Sequence, residues 1–217
     1  MKELAVTPPL HAYMREHSSP PDPVLERLLA ASREAVGDLQ EMLIPAGQGT
    51  LLELLAGLAR AERILEIGTF TGASALCLAR GLQDGGTLTC LELDPRWPEV
   101  GRPFWREAGV EERIDLCIGD ARETLAQLPA EPGFDLVFVD ADKPSQPHYV
   151  REALARLRPG GVLLVDNTLR DGEVLLSEVG EGTRAVQEAN AMLAADPQVR
   201  CVVIPFADGL TIAARRR

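Results

Sequence analysis

The hydrophobic pattern of the chain changes near residue 62. Before that point, after a loose start, apolar residues recur at helical spacing over 23–43 and 47–61, with the loop IPAGQG between them. After it, short apolar runs alternate with segments of helical spacing. The pattern predicts a single domain over 1–217, with an N-terminal helical segment at 1–62 and an α/β core at 63–217.

Seven apolar runs in the core predict the strands of one sheet. They lie at 63–68, 88–93, 113–119, 134–140, 162–167 and 199–206, and in the final run LTIAAR. Helical segments separate the first six runs, which is typical of parallel strands joined by right-handed crossovers. Only the short stretch ADG separates the last two, so these form an antiparallel hairpin. The expected fold is a doubly wound, mostly parallel seven-stranded sheet that ends in an antiparallel hairpin.

Composition indicates which kinds of partner the protein binds and in which compartment it lies. The formal net charge of −11 argues against nucleic acid, because binding phosphates requires a basic face. The four cysteines lie in apolar segments without a CxxC pair, which indicates small buried residues in a reducing compartment. No segment approaches the roughly 18 apolar residues of a membrane span, and the N-terminus lacks the features of a signal peptide. We expect a cytoplasmic protein without a membrane or nucleic-acid partner.

A glycine-containing turn follows the first predicted strand. Gly68 and Gly72 give the spacing GxxxG, which on its own is also typical of a plain strand-to-helix turn. An acid and three hydroxyls accompany the glycines, at Glu66, Thr69, Thr71 and Ser74. Glu92 ends the second strand, where an acid can accept hydrogen bonds from both ribose hydroxyls. These features indicate an adenosine-containing ligand, either NAD or S-adenosylmethionine. The missing GxGxxG and the terminal hairpin favour S-adenosylmethionine.

Oxygen-bearing side chains end strands four and five. Asp140 closes the fourth strand, and Asp166 with Asn167 closes the fifth. If the two strands are neighbours, these oxygens meet at the edge that carries the Gly68 turn. Two carboxylates and an amide suit a hard divalent cation, with Mg²⁺ favoured and Mn²⁺ or Ca²⁺ as alternatives. The competing interpretation is that these residues cap helices and turns.

Lys143 lies three residues beyond Asp140. An ammonium beside a bound cation loses its proton more easily, so Lys143 could act as a general base. The alternative is an exposed lysine at the start of a helix. His148 and Tyr149 follow at helical positions, and we interpret both as packing or rim residues.

Taken in order, the motifs resemble those of a known family. The chain is similar to the cation-dependent class I O-methyltransferases, the group of catechol and caffeoyl-CoA O-methyltransferases, and particularly to their small bacterial members. The similarity spans about residues 40–214 and rests on these motifs: AGQG with LL after it, ILEIGTFTGAS, GDARETL, FDLVFVDADKPSQPHY, LRPGGVLLVDNTL and PFADGLTIA.

The resemblance implies a role for individual residues. The implied metal ligands are Asp140, Asp166 and Asn167, and the implied catalytic residues are Lys143 and Asp140. The implied cofactor-binding positions are Ile44 through its backbone, Glu66, Gly68, Thr69, Ser74, Glu92, Ala121, Asp140 and Asp142.

Two departures from the family pattern bear on the acceptor. Ala73 stands where many members have tyrosine, so any contact made by that tyrosine is missing. After Asp166 and Asn167 the family often continues with Leu-Trp, whereas this chain has Leu169, Arg170 and Asp171. Arg170 and Asp171 stand where acceptor-contacting residues are expected.

The resemblance implies an S-adenosylmethionine-dependent and divalent-metal-dependent O-methyltransferase for a catechol-like small molecule. It also implies a homodimer, with lid and dimer contacts in segment 1–62. Two alternatives stay open. One is a nicotinamide-dependent oxidoreductase on a Rossmann-like sheet, and the other is a non-catalytic S-adenosylmethionine-binding module.

Overall fold

The computed structural model describes residues 4–217, so the first three residues of the expected N-terminal segment lie outside the described range. The α-helices in that range are α1 (Pro8–Glu16), α2 (Pro23–Val36), α3 (Ala46–Leu58), α4 (Ala73–Gly81), α5 (Pro98–Glu107), α6 (Ala121–Gln127), α7 (Gln146–Arg156) and α8 (Glu181–Ala195). Short 3₁₀ helices cover Gly37–Met42, Glu111–Arg113 and Arg170–Leu175. The strands are β1 (Arg63–Ile67), β2 (Thr87–Glu92), β3 (Ile114–Ile118), β4 (Phe134–Val139), β5 (Leu157–Asp166), β6 (Val199–Ile204) and β7 (Leu210–Arg215).

All seven strands form one sheet in the order β3-β2-β1-β4-β5-β7-β6. Strands β1 to β5 pair in parallel, and β7 pairs antiparallel with both β5 and β6. The predicted fold class and its terminal hairpin are therefore confirmed. The strand order reverses between β1 and β4, and a reversal of this kind opens a crevice at the carboxyl ends of the strands.

Helices cover both faces of the sheet. Along β1, Ile64 packs into the core beneath α2 to α5, whereas Leu65 and Ile67 pack into the core beneath α6 to α8. This alternation follows from the two-residue period of a strand. Every residue of β4 is buried, as expected for the central strand of a three-layer structure.

The N-terminal segment differs from its prediction in two ways. The loose start contains α1, which buries none of its residues. The helix predicted over 23–43 ends at Val36, because Gly37 takes a positive φ of 55° and the chain continues as a 3₁₀ helix. Both α2 and α3 pack into the core shared with α4 and the sheet. That 1–217 is a single domain stays a prediction.

The fifth strand begins earlier than predicted. The sequence RPGG at 158–161 reads as a turn, yet β5 starts at Leu157 and runs through it. A register shift between Phe134 and Leu136 on β4 accommodates the irregularity, in the manner of a β-bulge.

Among residues 4–217, no helix combines the length and the apolar character that crossing a membrane requires.

Candidate active site at the carboxyl ends of β1, β4 and β5

The turn after β1 lies directly against the end of β4. Gly68 has a φ of 93°, and a Cβ at this position would lie 2.2 Å from the carbonyl oxygen of Asp140. The backbone N–H of Asp140 in turn donates to the carbonyl of Ile67 at 2.8 Å. Only glycine allows this approach, which brings the predicted cofactor turn next to the first predicted metal ligand.

Glu66 is a buried acid with one oxygen free of partners. Its Oε2 accepts a hydrogen bond from the Cys90 thiol at 3.2 Å, while within residues 4–217 its Oε1 has no hydrogen-bond partner. Burial raises the pKa of Glu66 to about 7. Thr69 and Ser74, predicted with Glu66 as cofactor-binding residues, are also buried beside this turn. An unpartnered carboxylate oxygen suits a ligand that carries a positive charge and hydrogen-bond donors.

Glu92 fastens the turn to the end of β2. Its Oε2 accepts from the backbone N–H groups of Thr69 at 3.2 Å and Phe70 at 2.7 Å, and its Oε1 accepts from Asp94 N–H at 2.9 Å. Phe70 has a φ of 48°, a conformation that bulky residues adopt only when their surroundings impose it. The expected ribose-binding acid therefore lies in contact with the glycine turn.

Asp140 directly follows β4 and Asp166 ends the neighbouring β5, and the two are in register, since Val139 pairs with Val165. Asp166 is 4% exposed, and its pKa rises to about 7, first because it is buried and then because of the nearby charge of Asp140. The backbone N–H of Asn167 donates to Asp166 Oδ1 at 2.8 Å, and Asn167 itself has a φ of 54°, which asparagine tolerates well. The structure thus brings together the backbones of the three predicted metal ligands.

The chemistry of this set fits a divalent cation. Two carboxyl groups that disfavour each other's charge at a buried edge gain from a cation between them, and oxygen ligands are those that Mg²⁺ or Ca²⁺ prefers. In the part of the chain that the structure describes, no three His, Cys, Asp or Glu side chains cluster as a metal site. The candidate set consists of two carboxylates and an amide, and waters or a substrate would complete its shell.

Lys143 meets the same group of residues. Its Nζ lies 3.1 Å from Asp140 Oδ1, and both side chains are about four-fifths buried, with 17% and 20% of their surface exposed. The predicted general base and the predicted metal ligand therefore form an ion pair at the edge of the site.

Asp142 faces the start of α7. Its Oδ1 accepts from the hydroxyl of Tyr149 at 2.6 Å, and its Oδ2 accepts from the backbone N–H of Ser145 at 3.0 Å. Tyr149 is buried, as a packing residue should be, but it also holds Asp142 in place. A cofactor contact through Asp142 stays a prediction.

The two remaining predicted cofactor positions lie on opposite sides of the sheet. Ile44 is half-buried against the core beneath α2 to α5. Ala121 begins α6, just after its N-cap Asp120, and packs against the other core. Both belong to segments that approach the ligand-binding edge, and their contacts to a cofactor stay predictions.

Two buried residues that donate hydrogen bonds to the site were not predicted from the sequence. The amide Nε2 of Gln48, on α3, donates to Asp166 Oδ2 at 2.5 Å. The indole Nε1 of Trp105, on α5, donates to the carbonyl of Gly72 at 2.9 Å. A signal existed for Gln48, which is a polar residue within an apolar helix and within the motif AGQG.

Comparison with known proteins identifies the group to which this architecture belongs. The sequence profile of the O-methyltransferase family matches residues 15–216. The chain belongs to this family. It is 39% identical to the catechol O-methyltransferase of Mycobacterium tuberculosis over 183 residues, which cover 84% of this chain and 82% of that one. It is 36% identical to the caffeoyl-CoA O-methyltransferase of Populus kitakamiensis over 214 residues, covering 94% and 89% of the two chains.

A solved structure of another O-methyltransferase superposes closely. TomG from Streptomyces achromogenes, an enzyme of tomaymycin synthesis determined in complex with S-adenosylmethionine, gives a TM-score of 0.85 at 36% identity. The match covers 95% of each chain. The resemblance inferred from the motifs is confirmed, and with it the reaction class, which is methyl transfer to an oxygen.

Proposed function

We propose that this O-methyltransferase transfers the methyl group of S-adenosylmethionine to one hydroxyl of a catechol-like molecule, with a divalent cation bound at Asp140, Asp166 and Asn167. The observation that carries the proposal is the meeting of Asp140 and Asp166 at one edge of the sheet, with Lys143 paired to Asp140. This edge also carries the glycine turn.

The cofactor half of the proposal rests on the turn after β1. The unpartnered Oε1 of Glu66 is a ready acceptor for the ammonium of the methionine moiety, and Gly68 leaves room for close approach of a ligand. Glu92 retains lone pairs for ribose hydroxyls beyond those used by the loop N–H groups. These residues bind and orient the cofactor.

The proposed metal site lies at the ends of β4 and β5. A cation held there would make a hydroxyl proton of the acceptor easier to remove. Asp140 and Asp166 supply the negative charge for that cation, with Asn167 as the third ligand. Mg²⁺ is the favoured ion, because carboxylate and amide oxygens are hard ligands.

Lys143 is the proposed general base. Its Nζ is held 3.1 Å from Asp140, so it stands beside the position that the acceptor hydroxyl would occupy. A cation bound at Asp140 would replace the Lys143 ammonium as the partner of that carboxylate and would favour the neutral amine. Lys143 would then take the hydroxyl proton, and the resulting phenolate oxygen would attack the sulfonium methyl. The C–S bond breaks as the O–CH₃ bond forms, and S-adenosylhomocysteine leaves. Positioning supplies much of the acceleration, because the methyl group is already activated.

The acceptor class follows from the proposed ligand set. A vicinal dihydroxy-aromatic compound would offer two neighbouring oxygens to a cation held by two carboxylates and an amide, whereas an isolated hydroxyl would offer one. The names of two relatives, catechol and caffeoyl-CoA O-methyltransferase, agree with this class. Arg170 is half-buried and Asp171 is exposed, and both remain the positions expected to adjust acceptor choice.

Removing the metal tests this proposal. We expect purified protein with S-adenosylmethionine, catechol and Mg²⁺ to form monomethylated catechol, measured by mass spectrometry. EDTA should abolish product and excess Mg²⁺ should restore it, while S-adenosylhomocysteine still binds within about threefold in a calorimetric titration, because Glu66 and Glu92 are not metal ligands. Methylation that survives EDTA contradicts the metal assignment. A protein that binds S-adenosylmethionine but methylates no catechol or caffeoyl ester contradicts the enzymatic one.

A further inference from the structure

Gln48 connects the N-terminal segment to the proposed metal edge. Its side chain is 1% exposed, and its Nε2 donates to Asp166 Oδ2 across a sequence separation of 118 residues. Because an ionised carboxylate only accepts hydrogen bonds, the contact uses the amide nitrogen of Gln48. A buried amide directed at a buried acid is an oriented interaction, since neither group can exchange its partner for bulk water.

The surrounding chain fixes where Gln48 lies. A Cβ on the next residue, Gly49, would come within 2.8 Å of the Cys77 sulfur on α4, so the first turn of α3 packs tightly against α4. On the preceding residue, Gly47, a Cβ would meet the Phe206 ring at 3.5 Å, in the turn that precedes β7. The backbone N–H of Gln48 donates to Pro45 at 2.9 Å. The amide therefore reaches Asp166 from a rigid support.

The two oxygens of Asp166 have complementary donors. Oδ2 accepts from Gln48 and Oδ1 accepts from the backbone N–H of Asn167. Each carboxylate oxygen offers about two lone-pair positions, so one on each oxygen stays available. Donors on both oxygens fix the plane of the carboxylate, and the uncharged amide achieves this without adding a third negative charge.

We propose that Gln48 is the positioning residue for Asp166, and that through it the N-terminal segment contributes to divalent-cation affinity. This inference rests on the proposed function, because it takes Asp166 to be a metal ligand. Gln48 does not touch the reacting atoms. It sets the orientation of the carboxylate that the cation meets.

The test compares Gln48→Met with wild type in calorimetric titrations of Mn²⁺ and, separately, of S-adenosylhomocysteine. Methionine has a similar length and no donor, so the fold of α3 should be kept. Mutating a residue that hydrogen-bonds to a metal ligand typically lowers metal affinity by about 10-fold to 100-fold. We expect the Mn²⁺ Kd to rise about tenfold or more, with the S-adenosylhomocysteine Kd within about twofold of wild type. The matched control is Gln187→Met, which removes amide donors to the Val174 and Leu176 carbonyls and should leave the Mn²⁺ Kd unchanged.

An unchanged Mn²⁺ Kd in folded Gln48→Met overturns the inference and leaves the proposed function intact. A parallel rise in the Kd for S-adenosylhomocysteine also overturns it, because a general distortion of the site would then explain both losses. Wild type that binds no Mn²⁺ at all contradicts the metal part of the proposed function itself, and the inference with it.

A measurement on wild type keeps the inference testable should Gln48→Met fail to fold. Mg²⁺ is diamagnetic, so side-chain amide resonances can be followed by ¹⁵N-edited NMR during a titration. We expect the Gln48 Nε2 resonance pair to shift as Mg²⁺ saturates the protein and the Gln187 pair to stay in place. A Gln48 pair that does not move at saturation contradicts a contact with a metal ligand.

Discussion

Two residues of the candidate site, Glu66 and Asp166, are buried acids. Glu66 and Asp166 both have a pKa raised to about 7, and in both burial is the leading cause. Such groups are costly in the folded protein unless a ligand compensates their charge. The two acids lie on different strands, one beside the glycine turn and one beside Asp140. Glu66 therefore belongs to the proposed cofactor site, and Asp166 belongs to the proposed metal site.

The raised pKa of Glu66 predicts a pH-dependent stability. Glu66 binds its proton more tightly when folded, so its contribution to the free energy of unfolding is fully present below pH 4.5 and is lost as the pH rises through about 7. The full loss is about 3 kcal/mol at 1.36 kcal/mol per pH unit. Glu66→Gln stays neutral and should remove this fall, measured by urea denaturation without cofactor between pH 4.5 and 8.

The matched control for this prediction is Glu34→Gln on the exposed face of α2, which should keep the wild-type pH dependence. If Glu66→Gln and wild type lose stability in parallel across this range, the acid is not titrating as its burial implies.

Individual residues were predictable from sequence to different degrees. The sequence was enough to predict that one edge of the sheet carries Asp140, Asp166 and Glu92. Each of them ends an apolar run, and the carboxyl ends of parallel strands meet at one edge. Gln48 could not be predicted as a partner of Asp166, since the contact joins positions 118 residues apart and depends on how α3 packs. Which groups Asp142 would bind was equally hidden, because the Tyr149 hydroxyl reaches it only once α7 has formed.

At the scale of the element, the turn between β1 and α4 is held from several sides. Glu92 accepts from its N–H groups, and the Ser32 hydroxyl of α2 donates to Thr71 Oγ1 at 2.8 Å. Trp105 of α5 donates to Gly72, where a Cβ would lie 2.3 Å from the indole ring. With Gly72 at a φ of 84°, no other residue fits there without strain. These contacts explain how a left-handed turn keeps one conformation before a cofactor binds.

Removing the indole donor should therefore weaken cofactor binding. Trp105→Phe leaves the Gly72 carbonyl without its partner, a loss typically of about 1–3 kcal/mol. We expect the Kd for S-adenosylhomocysteine to rise by about fivefold or more in calorimetry, with the Mn²⁺ Kd within about twofold, because the proposed metal ligands lie at the ends of β4 and β5.

Phe104→Leu, a half-buried neighbour on the same helix, is the control and should leave both constants near wild type. An unaltered cofactor Kd in folded Trp105→Phe would show that the turn holds its conformation without the indole.

The elements themselves followed closely from periodicity, and their ends did not. The fully buried β4 was readable because all its residues are apolar apart from Asp135. The early start of β5 was not, since RPGG has the composition of a turn and only the residues on either side of it, Leu157 and Val162, pair with β4. The end of α2 before Gly37 was also missed. Apolar residues continue at helical spacing beyond Gly37, whereas the backbone changes there from an α-helix to a 3₁₀ helix.

At the scale of the whole molecule, the N-terminal segment serves the site as well as the core. Through α2 it reaches the glycine turn, and through α3 it reaches Asp166. Its expected lid and dimer contacts stay predictions. Several apolar side chains of this segment are exposed, and a homodimer interface formed here would cover them. They are Tyr13, Met14, Met42, Leu54 and Leu58. The change from helices alone to alternating strands and helices near residue 62 could be predicted from the hydrophobic period, whereas these contacts depend on the three-dimensional packing.

We propose that one edge of this sheet binds a cofactor and a divalent cation side by side. The most direct test is an anomalous difference map from crystals grown with Mn²⁺ and S-adenosylhomocysteine. We expect a manganese peak coordinated by Asp140, Asp166 and the Asn167 side chain, with the cofactor ribose at Glu92 and Lys143 facing the open coordination positions. A map with the cofactor bound but no manganese peak at these three residues would contradict it.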